Sequence, residues 1–215
     1  MAKILVNWTT TDLISVAEVA DQLGFDLRKY DFQSAEVQAG MQKAIVDRII
    51  HMIRQSWRDA FDPEPHPSVD FNAIRNGVYV IAIGDGFGVR YPKGTSEVMY
   101  IGRGAIANRL RSHLNNWIFE MSRSLKDVSF RFYMEMIGDG RSKGAFKDFE
   151  HFMLDGFHAK FGDKPLLNKI HGRAGTIDHA YEGKWNLPLD NRGKTYLWEI
   201  NPTKKNRWFK QYEDK

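Results

Sequence analysis

GVYVIAI (residues 77–83) and SEVMYIG (residues 96–102) are short apolar runs rich in β-branched residues, and each reads as a strand. GDGFGVRYPKG (84–94), between them, is dense in glycine and charge. The two strands are therefore expected to pair antiparallel across a long, decorated loop. Downstream, Ala105 to Trp117 sets Ile106, Leu110, Leu114 and Trp117 on one helical face. SFRFYMEM (129–136) alternates as a strand, with Phe130, Phe132, Met134 and Met136 on one side. Phe146 to Phe161 carries Phe146, Phe149, Met153 and Phe157 at helical spacing and meets a stop at Gly162. The order is β-β-α-β-α, an α+β core.

Outward from that core, the first seventy residues read as helical. Thr11 or Asp12 can cap a helix from Leu13 to Leu23, ended by Gly24. Ala35 to Ala60 places Val37, Met41, Ala44, Ile45, Ile49, Met52 and Ile53 at helical spacing. DPEPHP (62–67) then interrupts the chain with three prolines, so a boundary is expected there. On the C-terminal side, 172–195 reads as loop and YLWEI (196–200) as a last strand before the basic, aromatic tail NPTKKNRWFKQYEDK. The expected segments are a helical N-terminal extension (1–70), a core (71–175) and a C-terminal extension (176–215).

Of the 215 residues, 42% are apolar and 27% charged, a balance that excludes wholesale disorder. No run approaches the ~20 apolar residues of a membrane helix. MAKILVNWTTTDL carries too few consecutive apolar residues for a signal peptide. Cysteine is absent, which removes disulfides, thiolate zinc sites and cysteine nucleophiles together. A cytoplasmic protein is expected, with no membrane partner. Charge is uneven. Residues 1–70 hold 7 Lys and Arg against 11 Asp and Glu, whereas residues 71–215 hold 24 against 16. Cations and aromatic rings in one region suit a polyanion, releasing counterions and stacking on bases.

Several chemistry-bearing residues sit at defined places on these elements. Gly77-Val78-Tyr79 opens the first strand and Tyr100-Ile101-Gly102 closes the second, followed by Arg103. Arg109 and His113 lie four apart on the first core helix, Glu150 lies on the second, and Asn168 follows in KPLLNK. In these residues the chain resembles the GIY-YIG nuclease family, over roughly residues 75–170 and with each motif in order. The first triplet is GVY rather than GIY, a difference of one methylene, and the loop between the tyrosines is longer than the family's short hairpin. The resemblance implies a small, mainly antiparallel three-stranded sheet flanked by helices. It also implies a Mg²⁺-dependent hydrolase, with Mn²⁺ a substitute, acting on double-stranded DNA.

Phosphodiester hydrolysis requires a base for water, a cation beside the phosphate, stabilisation of transition-state charge and support for the leaving group. Glu150, a lone carboxylate, suits one Mg²⁺ that keeps several waters. Arg109 can grip a phosphate oxygen through two parallel hydrogen bonds, and His113, one turn on, shares its face and can touch the same phosphate or the nucleophilic water. Tyr79 and Tyr100 would aim their phenols into one site, with Arg103 and Arg109 lowering a phenol pKa from its ordinary ~10. Asn168 can bond phosphate or orient Glu150 without adding charge. Singly, each has a plainer role: a packing tyrosine, a solvated arginine, a surface carboxylate, a turn asparagine. Their conjunction, in order and on matching elements, favours the site.

Other constellations are weaker. Asp178 with Glu182-Gly183-Lys184 imitates a D…ExK nuclease pattern, but only three residues intervene and a glycine occupies the strand position. The compact chain with flanking extensions suits a type II restriction endonuclease, which can act as a homodimer to cut both strands. A phage, mobile-element or defence-associated nuclease of loose specificity and a catalytically inactive nucleic-acid-binding module are the alternatives. Arg90 and Lys93 in the long loop, and Lys204, Lys205, Arg207 and Trp208 in the tail, are the candidate DNA contacts.

Overall fold

The structure is a computed structural model describing residues 2–60, 70–84, 86–137, 144–169, 179–191, 194–205 and 210. Its elements are β1 (Ala2–Val6), β2 (Thr9–Thr10), α1 (Val16–Gln22), α2 (Ala35–Asp59), β3 (Gly77–Ile83), β4 (Phe87–Tyr91), β5 (Gly94–Ser96), β6 (Val98–Gly104), α3 (Ile106–His113), α4 (Phe119–Ser124), β7 (Phe130–Met136), α5 (Ala145–Phe161), β8 (His179–Gly183) and β9 (Trp198–Ile200). A π-helical turn, Leu114–Ile118, joins α3 to α4, so the first core helix runs on past its expected end at Trp117. The fold is mixed α+β with several sheets.

The central sheet has the order β2-β7-β3-β6, all neighbours antiparallel. It has four strands rather than the expected three, because Thr9 and Thr10 from the N-terminal segment add an edge to β7. β3 is buried along its whole length, as a central strand with both faces covered must be. Phe149, Met153 and Phe157 of α5 are fully buried. Ile45, Ile49 and Ile53 of α2, with Leu110 and Leu114, enter the same continuous core.

Two other sheets were not anticipated. β1 pairs in parallel with β8, inside the stretch expected to be loop, and Lys3 and Glu182 form an ion pair across it at 2.7 Å. Glu182 is thereby accounted for as a sheet-edge partner. The long loop between β3 and β6 folds into its own hairpin, β4–β5, and β9 joins it in parallel. The N-terminal extension is therefore helical only in part. Its first helix begins at Val16, because the Ser15 hydroxyl, not Thr11 or Asp12, caps it by accepting from the Glu18 amide. Ser34 caps α2 in the same way. The proline-rich boundary at 62–67 lies outside the described residues. None of the described helices is long and apolar enough to cross a membrane.

Candidate active site

The register of β3 and β6 brings the two tyrosines together. Tyr79 lies opposite Gly102, and Ile81 opposite Tyr100. Residues two apart share a face, so Tyr79 and Tyr100 become diagonal neighbours. Their rings stack at 6.0 Å between centroids, 25° apart. Gly102 permits this: a Cβ there would reach within 2.7 Å of the Tyr79 hydroxyl and collide with the Tyr100 ring. Gly77 does the same for the next element, because a Cβ there would occupy the space of the Ile106 side chain at the start of α3. Both motif glycines are sites of close approach.

With α3 seated against β3, Arg109 and His113 fall on the tyrosine side. The Arg109 guanidinium interacts with both phenols. His113 Nε2 and the Tyr79 hydroxyl are hydrogen-bonded at 2.9 Å, and the imidazole lies 4.4 Å from the Tyr100 ring. The Trp117 indole donates to His113 Nδ1 at 2.9 Å. Burial, then the Arg109 charge, pulls the His113 pKa down to about 4, so the imidazole is neutral at neutral pH. Both ring nitrogens are engaged, which leaves His113 no free nitrogen for phosphate or water. Arg111 points away and pairs with Asp47 on α2.

The expectation of an acidified phenol is not met at Tyr79. Its side chain is fully buried, and burial pushes its pKa well above the ordinary phenol value. Tyr100 adds to the rise and Arg109 opposes it. Loss of hydration outweighs one cation because the phenolate has no water around it.

Glu150 lies on α5, close enough to Arg109 to feel its charge. Arg103 Nε and Glu150 Oε2 form an ion pair at 2.8 Å, so Arg103 serves the carboxylate rather than the phenols. The Arg103 guanidinium also lies over the Phe146 ring, 5.9 Å from its centroid. Partial burial raises the Glu150 pKa, against the pull of Arg103, Arg109 and His151. The Arg109 charge lowers the pKa of both Tyr79 and Glu150 against the rise that burial imposes on each.

Asn168 takes a different role from the one expected. It is buried, accepts from the Ile101 amide through Oδ1 at 3.0 Å, and donates from Nδ2 to the Ile101 carbonyl at 2.7 Å. The amide thus mimics a neighbouring strand and holds the segment between Tyr100 and Gly102 in place. Among the described residues its side chain is hydrogen-bonded to Ile101 and not to Glu150.

Among the candidate DNA contacts, Arg90 is half-buried on β4 and faces the Thr95 hydroxyl. Lys93 donates to the Ala159 carbonyl at 3.1 Å, closing the last turn of α5. Lys204 and Lys205 are exposed in the turn after β9. Arg207 and Trp208 lie outside the described residues. Two exposed apolar residues were missed, Leu197 (78% exposed) just before β9 and Trp198 (65%) at its start, the latter stacked on Phe87. Strand alternation in YLWEI could have marked one of them as outward-facing.

Among the described residues no group of three or more His, Asp or Glu side chains is placed to hold a metal ion, so a divalent cation at Glu150 would have a single protein carboxylate. Among the described residues Glu150 Oε1 accepts no hydrogen bond, and a single carboxylate oxygen is a usual protein share for Mg²⁺ completed by waters and phosphate. No protein-family model, curated protein or solved structure matches the chain.

Proposed function

We propose that the chain is a Mg²⁺-dependent endonuclease of the GIY-YIG class that hydrolyses phosphodiester bonds in double-stranded DNA at specific sequences, as type II restriction endonucleases do. The observation that carries this reading is the clustering of Tyr79, Tyr100 and His113, with the Arg109 charge felt both by the phenols and by Glu150. A scissile phosphate seated on Arg109 would meet the two phenols, and a cation held at Glu150 would add to the neutralisation of its charge. In the reaction a water oxygen bonds to phosphorus as the bond to the departing sugar oxygen breaks. The water proton goes to Tyr79 in its phenolate form, a small fraction because burial raises the phenol pKa, leaving the neutral phenol, and Tyr100, only half-buried, orients the water. Arg109 neutralises the charge that builds on the non-bridging oxygens. Mg²⁺, when bound at Glu150, supplies further neutralisation and supports the leaving oxygen. Lys204, Lys205 and the exposed Leu197–Trp198 pair offer phosphate and base contacts outside the reacting centre.

The test is incubation of purified protein with Mg²⁺ and a plasmid of known sequence, with the cut ends mapped. Discrete fragments are expected. A smear would replace sequence specificity with loose cleavage, and a salt-sensitive gel shift without cutting would make the chain a binding module. Glu150→Ala should stop cleavage while DNA binding is kept or tightened, because the carboxylate repels phosphate when no cation is present. Mg²⁺-dependent cutting by that variant would remove Glu150 from the cation role.

A further inference from the structure

We propose that Trp117 is a positioning residue whose indole N–H holds His113 as the tautomer protonated on Nε2, aiming that N–H at the Tyr79 hydroxyl. An indole nitrogen can only donate. Its 2.9 Å bond to His113 Nδ1 therefore requires a lone pair on Nδ1. A neutral imidazole has one ring proton, which must then sit on Nε2, 2.9 Å from the Tyr79 oxygen. His113 donates to Tyr79 and cannot draw a proton from it. The Tyr79 O–H is left to point away from the imidazole, and the phenolate form of Tyr79 meets two donors, His113 Nε2 and Arg109.

The surroundings enforce the arrangement. The titratable or charged groups facing His113 are Tyr79 from β3, Tyr100 from β6 and Arg109 from its own helix. Among the described residues no carboxylate bonds to the imidazole, and Arg109 disfavours a second ring proton. Trp117 is itself braced edge-on against Phe130 at 5.8 Å and 74°. The π-helical turn Leu114–Ile118 begins directly after His113 and contains Trp117, a local widening of the kind found where helices serve a site.

The consequence for rate rests on the nuclease reading, but the tautomer does not, so the two are tested separately. Nitrogen-15 spectra of the histidine rings at neutral pH should show His113 protonated on Nε2 in the wild type. The same state should persist in Tyr79→Phe, where the acceptor is gone but Trp117 remains, and be lost in Trp117→Phe. Trp117→Phe should also lower kcat by about 10–100-fold, the usual cost of losing an orienting partner, with KM little changed. Protonation on Nδ1 in the wild type, or an unchanged Nε2 tautomer in Trp117→Phe, would overturn the proposal. The wild-type and Tyr79→Phe spectra decide it even if Trp117→Phe does not fold. Absence of cleavage by the wild type would instead overturn the nuclease reading.

Discussion

Gly102 and the Tyr79 hydroxyl compete for one small volume, and that contact explains a motif that reads in sequence as a bare triplet. The hydroxyl is worth its buried place only if it does something a phenylalanine could not. Tyr79→Phe and Tyr100→Phe each remove one oxygen and keep the stacked rings. Both should cut DNA far more slowly than the wild type, with the folded stability of Tyr100→Phe close to unchanged. Near-normal cleavage by both would reduce the tyrosines to packing. Because burial holds the Tyr79 pKa above its ordinary value, the phenolate fraction rises tenfold per pH unit throughout the neutral and alkaline range. The single-turnover rate should climb accordingly, and a plateau between pH 7 and about 9 would argue against a tyrosine base.

At the scale of the element, α3 sorts its two arginines by register. Residues two apart point about 200° away from each other on a helix. Arg109 accordingly meets the phenols while Arg111 meets Asp47. Arg109→Ala is expected to cost on the order of 10²–10³ in rate, the size of a lost transition-state contact. Arg111→Ala should leave the rate near normal, since its pair with Asp47 is half-exposed and such pairs contribute little. Equal rate losses would show that the helix does not present Arg109 to the reacting phosphate. This much was legible beforehand, because helical spacing is a local property. The continuation through the π-helical turn was not, although it brings the Trp117 indole to His113.

Across the whole molecule, the N-terminal segment is tied into the central sheet rather than appended to it. The Asn7 amide donates to Glu135 Oε2 at 3.0 Å, beside the β2–β7 pairing. Burial pushes the Glu135 carboxyl up to about 8, against the pull of the Asn7 and Met136 amides. Between pH 4.5 and 8 the folded chain therefore keeps a proton that the unfolded chain has released, so stability falls as pH rises through that window. Glu135→Gln should flatten the dependence of the thermal midpoint on pH over the same range. An unchanged slope would assign it to another group. What the sequence determined alone was what neighbours along the chain decide: the runs of β3, β6 and β7, the faces of α2, α3 and α5, and the order of the motif residues. Tertiary structure decided whatever depends on partners distant in sequence. A parallel pair such as β1–β8 leaves no local trace, since its hydrogen bonds join residues about 177 apart. Asn168 reads as a polar turn residue until Ile101 is beside it, and Tyr79 reads as an acidified phenol until burial is known. Hydrogen-bond partners and loss of water are set by packing, and no spacing of residues encodes them.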